Sequence, residues 1–368
     1  MFAYLGTYFS FALLTLLGKR RELNDSGYFN NRINILWFYI FIYLNLLIGL
    51  RLEVGGDWDN YLMAFNQIKE LSLIEIFNTQ NAYLSDPLYL LISWISASLG
   101  LGVYGINFIC GFIFSIGLIS LCRSFQRPLL ALTIAFPYLI VVVAMGYTRQ
   151  SAALGLAMLG LAGLIKAKNL KFIILIFLAA MLHKSAIILI PIIGFAVSKS
   201  RVLLSFFGIL FFILAYYLFL NDAIERVMYA YIESNYQSEG ALIRLAMNAV
   251  PALIFLLLRR RFRINHYHDH EINLWTIFSF VSLFMFVIYP IFPSSVILDR
   301  IALYLLPIQL FVFSNLPFVL TERRSVQNLF TFLVVAWYLL VLLVWLFFAN
   351  NRFWWVPYRS LITELFTI

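Results

Sequence analysis

The sequence predicts an all-α polytopic membrane protein, one membrane domain over residues 1–368 with about 10–12 transmembrane or re-entrant helices. Three observations carry that reading. Of 368 residues, 63% are hydrophobic and 12% charged, with a mean hydropathy of +0.91, which is more apolar surface than a soluble domain can bury. The apolar runs are continuous and span-length rather than alternating, which excludes a β-barrel. The basic residues fall in short clusters between those runs, as cytoplasmic loops do, so the net charge of +9 does not point to nucleic acid. Cys110 and Cys122 lie in or beside one apolar segment and offer neither a disulfide framework nor a metal spacing.

Phe2 to Leu17 is apolar and is followed by Lys19, Arg20 and Arg21, the reverse of a cleavable signal peptide. It is expected to be a first span with its N-terminus outside, and Ile35 to Leu50 returns to the outer face. Residues 51–86 form the longest polar interval of the first half, expected as a larger periplasmic loop. Within it, Leu71 to Phe77 reads as a short amphipathic helix lying on the membrane. Leu88 to Leu99, at about 1.5 Å per residue, covers roughly half to two-thirds of a bilayer core and is expected to be re-entrant or strongly tilted. Val103–Leu121 and Leu129–Met145 follow, with Arg123 and Arg127 between them on the inner side. An odd number of crossings must join those arginines to the outer loop, and the two apolar segments in between leave the topology open.

Gly146-Tyr147-Thr148-Arg149-Gln150 then opens a small-residue helix, Ser151 to Ile165. Its Ser151/Gly155 and Ala153/Ala157 pairs allow close helix approach. Arg149 stands at one mouth, and Lys166, Lys168 and Lys171 at the other. Phe172–Leu182 and Ala186–Val197 are each too short to span alone and flank His183-Lys184-Ser185. They form either one broken span or a shallow hairpin, and Lys199 and Arg201 favour the hairpin. Val202–Leu220 leads to a second periplasmic loop, 221–244, and Leu245–Leu258 crosses back to Arg259, Arg260, Arg261 and Arg263. His266, His268, Asp269 and His270 lack ligand spacing and read as solvated loop residues rather than a metal site. Leu274–Tyr289 goes out, and Arg300 heads Ile301–Leu320 with Tyr304 one turn further in. Leu329–Phe348 is the last span, before a periplasmic tail, 349–368, rich in aromatic residues.

In this topology Arg51, Arg149, Arg226, Arg244, Arg300, Arg352 and Arg359 all fall on the outer side, where few arginines are expected unless they have a task. Guanidinium groups bind phosphate and pyrophosphate bidentately, aromatic faces suit sugar rings, and carboxylates such as Asp57 and Asp59 can act as a general base. Residue chemistry therefore suggests an outer-face site for an amphipathic phosphate-bearing substrate, and leaves transfer and transport both open. Plainer readings stand beside it: a snorkelling Arg149, a satisfied core His183, and a tail that is only an interfacial aromatic belt.

Several features, in order along nearly the whole chain, carry a resemblance. They are Gly56-Asp57-Trp58-Asp59-Asn60-Tyr61, Tyr147-Thr148-Arg149-Gln150 with Ala152 and Ala153, His183-Lys184-Ser185-Ala186, Asp299-Arg300 with Tyr304, and Trp355-Val356-Pro357-Tyr358. The chain resembles the EpsG-type, Wzy-like family of bacterial exopolysaccharide and O-antigen polymerases. The resemblance implies a GT-C-like glycosyltransferase of the bacterial inner membrane acting on its periplasmic side. Its substrates would be undecaprenyl-diphosphate-linked repeat units within the lipid bilayer, and a chain-length regulator would be a partner of such an enzyme. Arg149, Arg300 and Arg51 would hold the donor diphosphate, with Gln150, Tyr304 and Tyr358 as further substrate contacts. Asp57 or Asp59 would be the base, with His183 as an alternative base or a second phosphate contact. No metal or other cofactor is needed, because the leaving group is already a diphosphate. Asp57-Trp58-Asp59 has an Asp-x-Asp spacing but lies away from cytoplasmic nucleotide sugars. An O-antigen ligase would differ only in its acceptor. A flippase should show two-fold internal repetition, which is not visible. A membrane acyltransferase would need a catalytic partner beside His183, and a purely structural protein would have little use for so many outer arginines.

Overall fold

The computed structural model describes residues 1–18, 35–78, 86–191, 240–264, 268–292 and 295–365, with isolated positions between 194 and 238. The expectations for Lys19–Arg21, Lys199, Arg201, most of Val202–Leu220, Arg226 with most of the second loop, and His266 lie outside the described residues.

Helices α1 (Phe2–Leu17) and α2 (Ile35–Gly49) precede the first loop, which carries α3 (Trp58–Ile68) and α4 (Leu73–Asn78). Then come α5 (Pro87–Ser98), α6 (Gly102–Cys122) and α7 (Pro128–Ala135), the last continuing directly as a π-helix over Phe136–Ala144. Helices α8 (Thr148–Leu164) and α9 (Asn169–Leu182) follow, with a 3₁₀ turn at Lys184–Ile188. The second half holds α10 (Ala241–Ile264), α11 (Asp269–Ile288), α12 (Ser295–Leu305), α13 (Pro307–Leu320), α14 (Arg324–Phe348) and the short α15 (Leu361–Leu365). Among the described residues, α6, α10, α11 with its 3₁₀ extension to Ile291, and α14 are long and apolar enough to cross a membrane. The pair α12–α13, bent by 44°, is a fifth candidate span, and α1, α2, α5, α9 and the Pro128–Ala144 helix are shorter apolar helices. The chain is an all-α, multi-pass membrane protein.

Layering follows side-chain character. The helix from α7 through its π-helical continuation is buried almost all round, as befits a central element. Helix α14 buries only Thr331, Val334, Val335, Tyr338, Leu342 and Leu346, a stripe at three- and four-residue spacing. Its Phe332, Leu333, Trp337 and Leu340 are exposed on the other face, where lipid would lie. Helices α6 and α8 touch backbone to backbone at Gly117 and Gly155: a Cβ on Gly155 would sit 2.5 Å from the Cα of Phe114. The small-residue pattern of α8 serves this approach.

The break between α12 and α13 shows how a bent span stays satisfied. Pro307 has no N–H, and the Leu306 N–H turns back to the Leu303 carbonyl at 3.4 Å. The Ala302 carbonyl is taken by Asn248 Nδ2 at 2.8 Å. Asn248 Oδ1 accepts from Gln309 Nε2 at 3.4 Å, and Gln309 Oε1 accepts from Tyr338 OH at 3.0 Å, which ties α10, α13 and α14 into one polar chain.

The two ends of the bundle differ. At one, Arg123 lies over the Trp37 ring (5.9 Å), and Arg127 over Phe318 (5.5 Å) while donating to the Thr15 carbonyl at 3.5 Å. The termini of α1, α2, α6, α7 and α13 meet here. At the other end the first loop folds against α6 and α8. Helix α5 resolves the crossing left open by the sequence. Its start, Asp86, touches Arg149 at the loop end, and Ser96 near its close donates to the Gly102 carbonyl at 2.5 Å, where α6 begins at that same end. Both ends of α5 therefore lie at the loop end, and α6 runs from there to Arg123.

Candidate functional site

The loop end contains two polar clusters built on neighbouring residues of α8. Thr148 faces the first. Arg51, only 1% exposed, is held there by three of its nitrogens: Nε donates to the Val54 carbonyl (3.1 Å), Nη1 to the Ile48 carbonyl (2.6 Å), and Nη2 to Asn107 Oδ1 (3.0 Å) and Thr148 Oγ1 (2.7 Å). Burial draws its guanidinium down to about 10, so it stays charged near neutrality. The C-terminal tail straps this cluster. Leu52 N–H donates to the Arg359 carbonyl (3.0 Å), Leu361 N–H to the Leu50 carbonyl (2.9 Å) and Gly55 N–H to the Trp354 carbonyl (3.0 Å), and Arg51 bridges Ser360. Trp355 is buried: its Nε1 donates to the Val141 carbonyl of the π-helix at 2.7 Å, while its own carbonyl accepts from Tyr4 OH at 2.9 Å. Gly55 adopts φ +110°, and any Cβ there would collide with the Met145 carbonyl, so the loop can press onto the Met145–Gly146 break only through glycine.

Arg149 faces the second cluster, a partly exposed cleft-like grouping in which only Arg300 is exposed. Its Nη1 donates to Asp86 Oδ2 at 3.1 Å, and its guanidinium lies 5.6 Å over the Tyr89 ring, which packs near Tyr61. Asp86 Oδ1 accepts the Lys184 backbone N–H at 3.3 Å. That N–H points inward because α9 ends at His183, whose backbone is extended (φ −159°, ψ 113°) before the 3₁₀ turn. His183 Nδ1 lies 2.5 Å from Ser185 Oγ, which donates to Tyr304 OH at 3.3 Å. Arg149, Arg300 and Lys184 are the cations within electrostatic reach of this imidazole. Arg300 is exposed, and among the described residues no acceptor bonds its guanidinium. Its backbone carbonyl is held by Gln150 Nε2 at 3.0 Å.

Asp57 completes the cleft. It is half-buried at the start of α3, and burial raises its carboxyl above the ordinary range, against the opposing pull of Arg149, an Asn60 hydrogen bond and Arg300. Asp86 is likewise raised by burial, with Arg149 and the Lys184 N–H pulling the other way. The cleft thus gathers Asp57, Asp86, Arg149, His183, Lys184 and Arg300 from five separate stretches of chain. Such an arrangement can bind an anion between guanidinium groups while a carboxylate or imidazole takes a proton.

Other expected site residues fall elsewhere. Arg51 sits in the closed cluster, with its guanidinium engaged by protein acceptors rather than turned to a ligand. Tyr358 is half-buried, its OH donating to the Leu47 carbonyl at 2.8 Å and its ring edge-on to Tyr4. Asp59 is exposed on the first turn of α3. The tail is more than an aromatic belt, since it pairs with the first loop. Arg244, counted among the outer arginines, forms a buried bidentate pair with Asp299, and its Nη2 reaches Asp299 Oδ2 at 2.7 Å. His268 and His270 are half-buried rather than solvated, and His270 Nε2 caps α8 at the Ile165 carbonyl (2.8 Å). Among the described residues no three His, Cys, Asp or Glu gather as a metal site would require.

Asp86 is the cleft residue that sequence reasoning missed. Asp86-Pro87 has the form of a helix start, with proline in the first turn. Yet the carboxylate makes no cap bond, and a buried acid that leaves its cap to meet an arginine cannot be told from an ordinary cap by pattern alone.

The model of the EpsG family matches residues 34–360 of the chain. That span includes both clusters and the strap, and leaves α1 outside. No curated protein and no solved structure matches the chain.

Proposed function

The chain belongs to the EpsG family, and from that premise we propose that it is a polysaccharide polymerase of the bacterial inner membrane. It moves a growing glycan from undecaprenyl diphosphate onto the terminal sugar of another lipid-linked repeat unit, at the periplasmic face. The observation that carries this reading is the cluster in which Arg149 pairs with Asp86, which also holds the His183–Lys184 break, with Asp57 half-buried and Arg300 exposed nearby.

In this scheme the acceptor hydroxyl attacks the donor sugar's anomeric carbon. The new C–O bond forms as the bond to the diphosphate oxygen breaks, and the electron pair leaves with the diphosphate. Arg149 and Arg300 hold that developing charge in a fixed geometry. Asp57 takes the hydroxyl proton. It is preferred to Asp59, which is exposed, and its raised pKa makes the carboxylate a stronger base than an ordinary one. His183 is the second candidate base; with Nδ1 occupied by Ser185, the proton would go to Nε2. Gln150 holds the Arg300 backbone, and Tyr304 holds Ser185 beneath His183. No step is routed through a cofactor. Arg51 and Tyr358 belong to the scaffold of this site.

The test is the glycan ladder from cells carrying Arg149→Ala or Asp57→Ala at matched expression. Loss of polymer, with single repeats still reaching the periplasm and being ligated, is the expected result. Single repeats held in the cytoplasm would mean a flippase, long polymer left unattached a ligase, and a normal ladder would remove the cleft from the chemistry.

A further inference from the structure

We infer that Asp86 is the positioning residue of the cleft: one buried carboxylate aligns Arg149 with the His183–Lys184 break. The inference rests on the diphosphate-binding reading of Arg149. The Asp86 side chain is 6% exposed, and its two oxygens bond different elements, Oδ2 the Arg149 guanidinium on α8 (3.1 Å) and Oδ1 the Lys184 N–H after α9 (3.3 Å).

Geometry also makes Asp86 a poor base. Both oxygens are occupied, and the side chain is more deeply buried than that of Asp57, which is only half-buried at the cleft. Its action therefore runs through Arg149. Holding a long, flexible cation in one rotamer before substrate arrives removes the ordering cost from the reaction step, so the effect belongs in turnover rather than affinity.

Charge sign separates this role from plain structural support. Deleting a negative charge beside two cations, by itself, favours binding of an anion. An Asp86→Asn chain keeps an acceptor for the Lys184 N–H but loses its ionic hold on Arg149. It is expected to bind undecaprenyl diphosphate at least as tightly as wild type, while forming polymer about tenfold more slowly or worse. Arg149→Ala should lose both affinity and turnover.

The experiment pairs two readouts on the full-length chain. One is the affinity of detergent-purified protein for undecaprenyl diphosphate; the other is the rate of ladder growth in membranes that make the repeat unit. Asp86→Glu, which restores the charge at a longer reach, should recover part of the turnover and serves as a second variant if the Asn chain folds poorly. A parallel fall of affinity and turnover in Asp86→Asn, or turnover within threefold of wild type, would overturn the positioning role. Unchanged undecaprenyl diphosphate affinity in Arg149→Ala would instead sink the phosphate reading of the cleft, whatever Asp86 does.

Discussion

Thr148 and Arg149 are neighbours on the first turn of α8, yet they face two clusters of opposite character. On the Thr148 side, Arg51 is enclosed and bonded through three nitrogens, with the C-terminal strap closed over it. On the Arg149 side, charges of both signs gather where Arg149 is 20% exposed and Arg300 is exposed. Both arginines stand at the mouth of a membrane bundle. What distinguishes them is exposure: Arg51 is 1% exposed, whereas the Arg149 side chain is 20% exposed and lies near the exposed Arg300. A sealed guanidinium is part of the scaffold, and a partly exposed one can take a ligand.

That contrast can be broken by experiment. The largest effect is expected from Arg149→Ala: a loss of about 10²–10³ in turnover, as when one charge-stabilising donor is removed from a preorganised site. Ladder growth per folded molecule checks it. Arg51→Met should do the reverse. It leaves the buried carbonyls of Ile48 and Val54 without the arginine donor, at about 1–3 kcal/mol each. A lower melting temperature in detergent, with near-normal activity in the molecules that remain folded, is the expected pattern. A specific loss of turnover there would put Arg51 back in the substrate site.

The pH profile sharpens the comparison within the cleft. A base must be ionised to act, so activity falls as pH drops through the Asp57 pKa. Because burial raises that pKa, the loss should begin at higher pH than the ordinary carboxylate range near about 4 would give. Asp57→Asn should abolish this acidic limb along with most of the rate. An unchanged limb in the residual activity would transfer the base to another group. Smallest of all are the peripheral changes. Tyr358→Phe removes one hydrogen bond to Leu47, worth about 0.5–1.5 kcal/mol of stability. Asp59→Asn, on an exposed surface, should leave turnover within about twofold.

Much of this was legible in the sequence because membrane spans are written in one dimension. Continuous apolar runs and basic punctuation predicted the helices. The polar interruption at His183-Lys184-Ser185 predicts the break, and the Leu88–Leu99 run predicts an apolar helix too short to span upright, as α5 is. Arg149, Arg300, His183 and Asp57 were picked out by residue type and likeness to a family, and they do converge. Arg51 and Tyr358 cannot be sorted from them, because contacts 56, 97 and 311 residues apart in the chain complete their environments. Asp86 was hidden for the same reason, since its partners lie 63 and 98 residues away.

By itself, then, the sequence determined which segments enter the membrane and which residue types stand at their ends, because both depend on local transfer free energy. Only the tertiary structure decided which arginine is sealed and which faces a cleft. That choice turns on where distant carbonyls, carboxylates and a folded-back tail come to rest. Hydrogen-bond saturation is a property of three-dimensional neighbours, and no periodicity encodes it.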